Sequence, residues 1–352
     1  MAATDSGGEP QGLYVHNGVL MRAGRPYSGI GANYDTLFGR LLKNKDDTSS
    51  LDNLALLAKK GIPFVRFRAC GFYPDNLQLY LNDRSEYFRR MDQVVRPAEQ
   101  HHIGILPSLF WRLATFSEVV AEPESAFGNA QSKSRAFITQ YTREIVGRYK
   151  DSPAIWGWEF GNEANLAVDV PHPKGGVHIT SDQLIATYIA FARTVRSIDP
   201  SRIIDAGISV QRPAAWHNAH GALRQRDSPS QNYAQSLADT PDPMNVVSVH
   251  IYQKGLKLAP YGPETVSHFI ARYVSFTSQT GKPLFIGEFP VREPAQAQEF
   301  LRAMQENHVP LAAFWTFDNS AQEATMNVSF QNQRAFAIDL VANANKALQS
   351  GR

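Results

Sequence analysis

The sequence contains almost no cysteine, little net charge and no long apolar run, and each absence excludes a class of protein. The single cysteine, Cys70, excludes an intramolecular disulfide and any fold that depends on one. A net charge of +2 gives no reason to expect a nucleic-acid or anionic-membrane partner. No apolar run approaches the roughly 20 residues that cross a bilayer, so we expect no membrane span.

The N-terminus also lacks the apolar core of a signal peptide. We expect a secreted or periplasmic protein whose signal peptide has been removed, with the cytoplasm as the alternative location. Residues 1–12 are rich in Gly and polar residues, and we expect a disordered lead-in there. No linker and no change of composition interrupts residues 13–350, which we expect to form a single domain. Nothing in the sequence indicates an oligomeric state.

From residue 27 onward, apolar strand-like runs alternate with helical patterns. The predicted strands cover 27–33, 62–68, 103–110, 154–160, 202–209, 246–252, 283–287 and 311–317. The predicted helices cover 51–60, 85–100, 132–149, 182–197, 264–280, 295–307 and 333–348, and residues 210–243 look irregular. Continuous apolar strands separated by helices indicate a parallel sheet. Eight such strands predict an α/β fold of the (β/α)8 TIM-barrel type, with a doubly wound open sheet as the alternative.

Residues 13–26 form a separate pattern before the first barrel strand. The dipeptide Asn17-Gly18 lies between two short apolar runs, which is a strong signal for a β-hairpin. A hairpin in this position could close the bottom of the barrel.

Two of the predicted strands end on carboxylates. The run from Ile155 ends on Asn162 and Glu163, and the run from Leu284 ends near Glu288. The carboxyl ends of barrel strands face one another across a single mouth, so we expect the two glutamates to lie close together. Two carboxylates from different strands are what glycoside hydrolysis requires.

Further polar and aromatic residues lie at other strand ends and become candidates for substrate binding. They are Asn33, Arg66, Trp111, His250, Tyr252 and Trp315. We expect neither a metal nor a cofactor, because these strand ends carry no set of residues with metal-ligand spacing and no nucleotide-binding motif follows a strand.

The segment Trp158-Glu159-Phe160-Gly161-Asn162-Glu163 resembles the Trp-Glu-x-x-Asn-Glu signature of glycoside hydrolase family 5 (clan A), in a form close to its β-mannanase and cellulase-like members. The resemblance extends over about residues 27–320, since Asn33, Arg66, His250-x-Tyr252, Glu288 and Trp315 follow in the family's order. It implies that Glu163 is the general acid/base and Glu288 the nucleophile.

The residue types then suggest individual roles. Asn162 would bind the 2-hydroxyl of the sugar, and Trp315 and Trp111 would offer flat faces to sugar rings. His250 could orient the acid/base or touch the substrate. Glu159 is expected to be a structural residue inside the barrel.

The same residues predict the charge of the two glutamates. Arg66 and a hydrogen bond from Tyr252 should lower the pKa of Glu288 and keep it ionised. The negative charge of Glu288 should raise the pKa of Glu163, which must begin protonated. A carboxyl separation of about 5–5.5 Å would indicate retention of configuration.

The predicted function is therefore a retaining β-glycoside hydrolase that cleaves a β-1,4-linked polysaccharide or oligosaccharide, with β-mannan favoured. A β-1,4-glucanase or other β-glycosidase on the same scaffold is the nearest alternative. A transglycosylase with the same residues and a non-catalytic carbohydrate-binding protein also stay open.

Overall fold

The computed structural model describes residues 10–70, 74–170, 179–253, 256, 262 and 264–350. Three short N-terminal strands precede eight barrel strands. The eleven strands are β1 Tyr14–His16, β2 Val19–Arg22, β3 Arg25–Pro26, β4 Gly29–Asn33, β5 Phe64–Arg68, β6 Gly104–Phe110, β7 Gly157–Gly161, β8 Ile203–Asp205, β9 Val247–His250, β10 Leu284–Pro290 and β11 Leu311–Trp315.

The eight strands β4 to β11 form one parallel sheet. Their order is β8-β7-β6-β5-β4-β11-β10-β9, and a parallel bridge between Ser209 and His250 joins the two edges. The sheet is therefore closed, which confirms the predicted (β/α)8 barrel. Strands β4, β7 and β10 are buried along their whole length, as expected where helices cover one face and the barrel interior the other.

Helices cover the outside of the barrel and lie in its loops. They are α1 Leu37–Lys43, α2 Ser49–Lys59, α3 Pro74–Asn82, α4 Arg84–Gln100, α5 Ala114–Val119, α6 Lys133–Tyr149, α7 Ser181–Arg196, α8 Ala215–Ala219, α9 Pro229–Ala238, α10 Val266–Ser278, α11 Pro294–Glu306 and α12 Phe336–Ser350. No helix in the described part of the chain is long and apolar enough to cross a membrane.

The N-terminal strands close the bottom of the barrel, as predicted. β1 pairs with β2, and β2 pairs with β3, so the hairpin gains a third short strand. The Leu13 N–H donates to Trp156 O (2.8 Å), and Ile203 N–H donates to Leu13 O (2.8 Å). Leu13 and Leu20 pack with residues from the amino ends of the barrel strands, including Phe64. This apolar plug leaves the opposite end of the barrel as the open mouth.

The loop between β8 and β9 contains two helices that were not predicted from the sequence. The expectation of an irregular segment at 210–243 is wrong for 215–219 and for 229–238, where α8 and α9 form. Ser228 accepts from the Gln231 N–H while the Gln231 side chain accepts from the Ser228 N–H, which is a capping box. Pro229 is tolerated because the first turn of a helix has no partner for its N–H. The prolines of this segment therefore marked helix boundaries as well as loops.

The start of α7 also differs from the prediction by one residue. The cap is Thr180 rather than Ser181, and Thr180 and Gln183 exchange the two bonds of a capping box.

Residues 1–9 of the expected lead-in lie outside the described residues. The Gln11 side chain accepts a hydrogen bond from Arg202 Nη2 (3.1 Å).

Gly12 fits closely against the bottom of the barrel. Its φ is +70°, and an added Cβ would lie 2.6 Å from the carbonyl oxygen of Ile155. Gly61 has a similar φ of +85° but no atom within 4 Å of such a Cβ. Gly12→Ala should lower the free energy of unfolding by about 2–4 kcal/mol, because a steric clash adds to the backbone strain.

Gly61→Ala is the matched control for this variant, since it introduces the strain without the clash. It should lower the free energy of unfolding by about 1–2 kcal/mol. Urea denaturation of both variants measures the difference. Equal losses would show that Gly12 is not sterically confined.

Candidate active site

Two carboxylates face each other at the mouth of the barrel. Glu163 lies two residues beyond the end of β7, and Glu288 lies within β10. Single carboxylate oxygens of the two residues and one ring nitrogen of His250 lie within 4.8 Å of one another. The proximity predicted from the two strand ends is confirmed.

Glu163 is held in an unusual backbone conformation. Its φ is +52°, in the left-handed region that residues other than glycine rarely adopt. The Glu163 N–H donates to Gly207 O (2.8 Å), beyond the end of β8, and a 3-10 turn at Ala164–Leu166 follows. This backbone turns the chain sharply after Asn162, so that two consecutive polar side chains reach the mouth.

Arg66 is the common partner of the residues around the two carboxylates. It is completely buried, and its Nε donates to both oxygens of Glu159 (2.9 and 2.7 Å). Nη1 donates to Glu288 Oε1 (3.0 Å) and to Asn33 Oδ1 (2.8 Å). Nη2 donates to Asn162 Oδ1 (2.9 Å). One planar guanidinium from β5 therefore fixes side chains from β4, β7 and β10 and that of Asn162 just after β7.

The buried charges compensate one another. Burial alone would lower the pKa of Arg66, but Glu159 and Glu288 together raise it above its ordinary value. Glu159 has no exposed surface and binds Arg66, in agreement with the structural role expected for it.

Tyr252 and His250 complete the surroundings of the carboxylates. The Tyr252 hydroxyl donates to Glu288 Oε2 (2.6 Å), so the predicted contacts of Arg66 and Tyr252 with Glu288 are both confirmed. His250 Nδ1 lies 3.0 Å from Glu163 Oε1 and 3.4 Å from Glu288 Oε1. Both neighbours are acceptors, which places a proton on Nδ1.

The net pKa directions of the two glutamates are opposite to those predicted from the sequence. Burial, together with the charge of Glu163, raises the pKa of Glu288 more than His250, Arg66 and Tyr252 lower it, so the net direction is upward. Burial also raises the pKa of Glu163, but the hydrogen bond and charge of His250 bring it below its ordinary value. The prediction did not include the burial of Glu288 or the contact of His250 with Glu163, and these two omissions account for the two wrong directions.

The three closest groups could each offer one ligand atom to a metal ion, namely Glu163, His250 and Glu288. The guanidinium of Arg66 already contacts the Oε1 of Glu288. A second cation at this oxygen would be repelled by the first. We therefore assign no metal to this group.

An aromatic pair borders the site next to a cavity of about 410 Å³. The rings of Trp111 and Trp315 are stacked, with centroids 6.1 Å apart. Trp111 is buried and also lies 4.8 Å from the guanidinium of Arg66. Trp315 is more exposed, and its Nε1 donates to Gln322 Oε1 (2.9 Å). Trp315 is therefore the better placed of the two for contact with a ligand.

Four of the five charged residues that line this cavity form two ion pairs. Arg40 binds Asp318 (2.7 Å), and Arg68 lies 3.4 Å from Asp35. Charges that already pair with one another suit an uncharged polar ligand better than an ionic one. The volume is within the range of about 300–1,000 Å³ that is typical of ligand sites.

A family profile described as cellulase (glycosyl hydrolase family 5) matches residues 37–321. The chain belongs to this family. It is 22% identical over 220 residues to mannan endo-1,4-beta-mannosidase F of Aspergillus clavatus, a match that covers 60% of this chain and 46% of that protein. The corresponding enzyme of Aspergillus fumigatus is 22% identical over 276 residues, or 72% of this chain and 58% of that protein. The chain thus spans about half the length of these curated relatives.

Solved structures share the fold of this family 5 chain. An endo-1,4-beta-mannanase from Rhizomucor miehei superposes with a TM-score of 0.74 at 15% identity, over 96% of this chain and 99% of that one. An endo-beta-1,4-mannanase from Thermotoga petrophila gives 0.65 at 13% identity, over 92% and 78%. At these identities the similarity concerns the barrel.

Three predicted substrate contacts of the family 5 site lie beneath the cleft surface, since the side chain of His250 also has no exposed area. Arg66 and Asn33 have no exposed surface. The Asn33 amide donates to Gly287 O (2.8 Å) and Phe314 O (3.2 Å), and its oxygen accepts from Arg66. Direct contact with a sugar would need exposed polar atoms, and none of the three side chains has any. The sequence identified the right strand ends but not the depth of each side chain.

Asp205 is a buried member of the same cluster that the sequence analysis does not select. It lies opposite Glu159 on neighbouring strands and is completely buried. Burial, and then the charge of Glu159, raise its pKa well above its ordinary value. The available signal was an acid directly after the apolar pair Ile203-Ile204, in a strand buried along its length.

Removal of the central cation should destabilise this family 5 chain strongly. Arg66→Leu leaves Glu159 and Glu288 without their cationic partner in the barrel interior. We expect the free energy of unfolding to fall by about 3–5 kcal/mol at neutral pH. Chemical denaturation measures this loss.

Arg89→Leu is the control for Arg66→Leu, since Arg89 pairs with Glu86 on an exposed helix face. This surface variant should change the stability little. Similar stabilities for the Arg66 variant and the native chain would contradict the central place of Arg66.

Proposed function

We propose that this chain is a retaining β-glycoside hydrolase that acts on β-1,4-linked mannan by double displacement. The observation that carries the proposal is the approach of Glu163 and Glu288 to within 4.8 Å. Inverting enzymes need about 6.5–9.5 Å between their carboxyl groups to admit a water molecule, whereas retaining enzymes need about 5–5.5 Å.

In the first step, an oxygen of Glu288 attacks the anomeric carbon of the bound sugar. The bond from this carbon to the glycosidic oxygen breaks, and Glu163 gives its proton to that oxygen as it leaves. The product is a glycosyl ester of Glu288. Formation of the ester removes the negative charge of Glu288.

In the second step, Glu163 acts as a base. It takes a proton from a water molecule whose oxygen attacks the anomeric carbon, and the ester bond to Glu288 breaks. Two displacements at one carbon restore its original configuration. Glu163 recovers its proton and Glu288 its negative charge, so the site is ready for another cycle.

The surroundings of Glu288 support its role as nucleophile. Arg66 and Tyr252 each donate to a different oxygen of the carboxylate, which fixes its orientation. Arg66 and Asn33 act from beneath the cleft as positioning residues. Asn162 is partly exposed and oriented by Arg66, so it remains the candidate for the sugar 2-hydroxyl.

The cavity beside Trp315 would hold the sugar that is transferred to Glu288. It is lined by residues from the loops after β4, β5, β6 and β11, and not by the loops after β7 and β8 that surround Glu163. The leaving group must lie next to Glu163, so the cavity is on the opposite side of the scissile bond. Trp315 supplies an aromatic face for this sugar.

The similar proteins described above are mannan endo-1,4-beta-mannosidases and mannanases, which supports mannan over glucan as the substrate. A β-1,4-glucanase stays the nearest alternative, and a transglycosylase would use the same two carboxylates. We also propose that the protein works outside the cytoplasm, where a polysaccharide of this kind would be met.

The first test is a hydrolysis panel. Mannan and manno-oligosaccharides should be cleaved faster than cellulose-type and mixed-linkage glucans, and the new reducing ends should first appear as the β-anomer by ¹H NMR. The same reactions carried out with the Glu288→Gln variant serve as the blank. Initial α-anomer would contradict retention, and preferred cleavage of glucans would contradict the substrate.

The pH profile is the second test. Activity needs Glu163 protonated and Glu288 ionised. The pKa of Glu288 is raised and that of Glu163 is lowered from the same ordinary value, so the active form is a minor one at every pH. A bell of reduced height in kcat/KM is therefore expected, in which the acid limb follows the lower pKa, that of Glu163, and the alkaline limb follows the higher pKa, that of Glu288.

Two variants separate the limbs of this bell. His250→Phe removes a group that lowers the pKa of both glutamates, so both limbs should move to higher pH. Tyr252→Phe removes a donor to Glu288 alone, so only the alkaline limb, which follows the pKa of Glu288, should move to higher pH. Unmoved limbs in His250→Phe would contradict the assignment of the two carboxylates.

A further inference from the structure

The turn that carries Glu163 is tied to the extension of β8 by one buried amide. Asn165 is 5% exposed. Its Oδ1 accepts from the Ser209 N–H (3.0 Å), and its Nδ2 donates to Ser209 O (3.0 Å). The Asn165 side chain thus takes the place of a backbone hydrogen-bonding partner beyond the point where β7 and β8 stop pairing.

Ser209 connects this tie to the carboxylate of Glu163. A hydrogen bond from the Ser209 side chain is among the interactions that lower the pKa of Glu163. Ser209 also forms the parallel bridge to His250, whose Nδ1 lies 3.0 Å from Glu163 Oε1. Both side chains that contact the Glu163 carboxylate are therefore held by a backbone segment that Asn165 fixes.

The hydrogen bonds between Asn165 and Ser209 are needed because the backbone of Glu163 is strained. A left-handed backbone in a glutamate persists only where its surroundings enforce it. Two contacts bridge the turn to the segment after β8, namely the Glu163 N–H to Gly207 O and the Asn165 amide to Ser209. Loss of the second contact would let the turn relax and move the Glu163 side chain.

A buried chain of polar groups fixes the orientation of the Asn165 amide. Asn165 Nδ2 also donates to Gln211 Oε1 (3.3 Å), and Gln211 Nε2 donates to Asp239 Oδ2 (2.7 Å). Gln235 Nε2 donates to Asp239 Oδ1 (3.1 Å). A carboxylate only accepts, so Asp239 makes Gln211 present its NH₂ to the acid and its oxygen to Asn165.

Asp239 is retained at a cost to stability. It is 1% exposed, and burial raises its pKa to about 6, although Gln211 and Gln235 lower it. An acid with a raised pKa in the folded state stabilises the fold below its unfolded pKa, and this contribution is lost as the pH rises through about 6. A carboxylate in this position therefore needs a reason other than stability.

We propose that Asn165, supported by Gln211 and Asp239, is a positioning residue for the acid/base Glu163. This inference rests on the proposed function and assigns Asn165 no contact with the substrate. Its effect should fall on the delivery of the proton from Glu163 to the leaving oxygen. The attack of Glu288 depends on Arg66 and Tyr252. Among the described residues, neither of these forms a hydrogen bond with Asn165, Gln211 or Asp239.

The test uses aryl β-mannobiosides with leaving groups of different acidity. A 2,4-dinitrophenolate leaves without a proton, whereas 4-methoxyphenolate requires one. Asn165→Ala should lower kcat/KM for the 4-methoxyphenyl substrate by roughly 10- to 100-fold, since misplacement of a catalytic group by about 1 Å can cost about 10²-fold. The dinitrophenyl substrate should lose less than roughly 3-fold, because its first step needs no proton.

Asn345→Ala is a matched control. Asn345 is 4% exposed and binds the backbone N–H and C=O of Ile30 (2.8 Å each) between α12 and β4, far from the mouth. Like Asn165, it binds the backbone N–H and C=O of a single residue through its side-chain amide. Its loss should lower the melting temperature and leave the ratio of kcat/KM for the two substrates at the native value.

Asp239→Asn tests the far end of the chain. The amide removes the buried charge and the constraint on Gln211 together. We expect an unchanged or higher melting temperature at neutral pH and the same selective loss on the 4-methoxyphenyl substrate. A purely structural acid would give a loss of stability without this selectivity.

Asn165→Asp is the second variant if Asn165→Ala does not fold, since it keeps the acceptor for the Ser209 N–H. Equal losses on both substrates, or none, in the Asn165 and Asp239 variants would overturn the positioning role. Failure of the native chain to cleave any β-mannoside would instead remove the proposed function on which this inference rests.

Discussion

One buried guanidinium determines how the mouth of this barrel is built. Arg66 has no exposed surface, and its N–H groups donate to Glu159, Glu288, Asn33 and Asn162. A planar donor set imposes fixed directions on its acceptors, which a lysine in the same position would not do. The cation also offsets the cost of burying carboxylates in the interior. The position of the nucleophile and the burial of its neighbours therefore depend on the same group.

The barrel explains why a single residue can reach so many partners. Closure brings the ends of β4, β5, β7 and β10 around one mouth, so side chains far apart in sequence become neighbours. The apolar plug at the bottom, formed with Leu13 and Leu20, leaves polar groups to the opposite end. On the side of Glu163 a strained backbone performs the placement, and buried amides rather than a cation hold it. The two carboxylates are thus positioned by different physical means.

Much of the fold and part of the site could be predicted from the sequence. Apolar runs that end on Asn162-Glu163 and on Glu288 identified the strand ends, and the alternation of strands and helices predicted eight barrel strands. The burial of each side chain could not be predicted in the same way. The alternation of residues along a strand gives the face on which Asn33 and Arg66 lie but not their distance from solvent. The pKa direction of Glu288 was wrong for the same reason, whereas that of Glu163 was wrong because the effect of its contact with His250 was not foreseen. The helix at Pro229–Ala238 was missed because its proline, Pro229, also fits a loop.

The central claim is that Glu288, fixed by Arg66, becomes covalently bonded to the sugar. In a 2-deoxy-2-fluoro-β-mannoside with a dinitrophenyl leaving group, the fluorine slows both displacements, and the activated leaving group keeps the first fast enough for the glycosyl–enzyme ester to accumulate. Mass spectrometry of the digested protein should then find one fluorosugar on the peptide that carries Glu288, and none after Glu288→Gln. Attachment to the peptide that carries Glu163, or turnover without any attachment, would contradict the account.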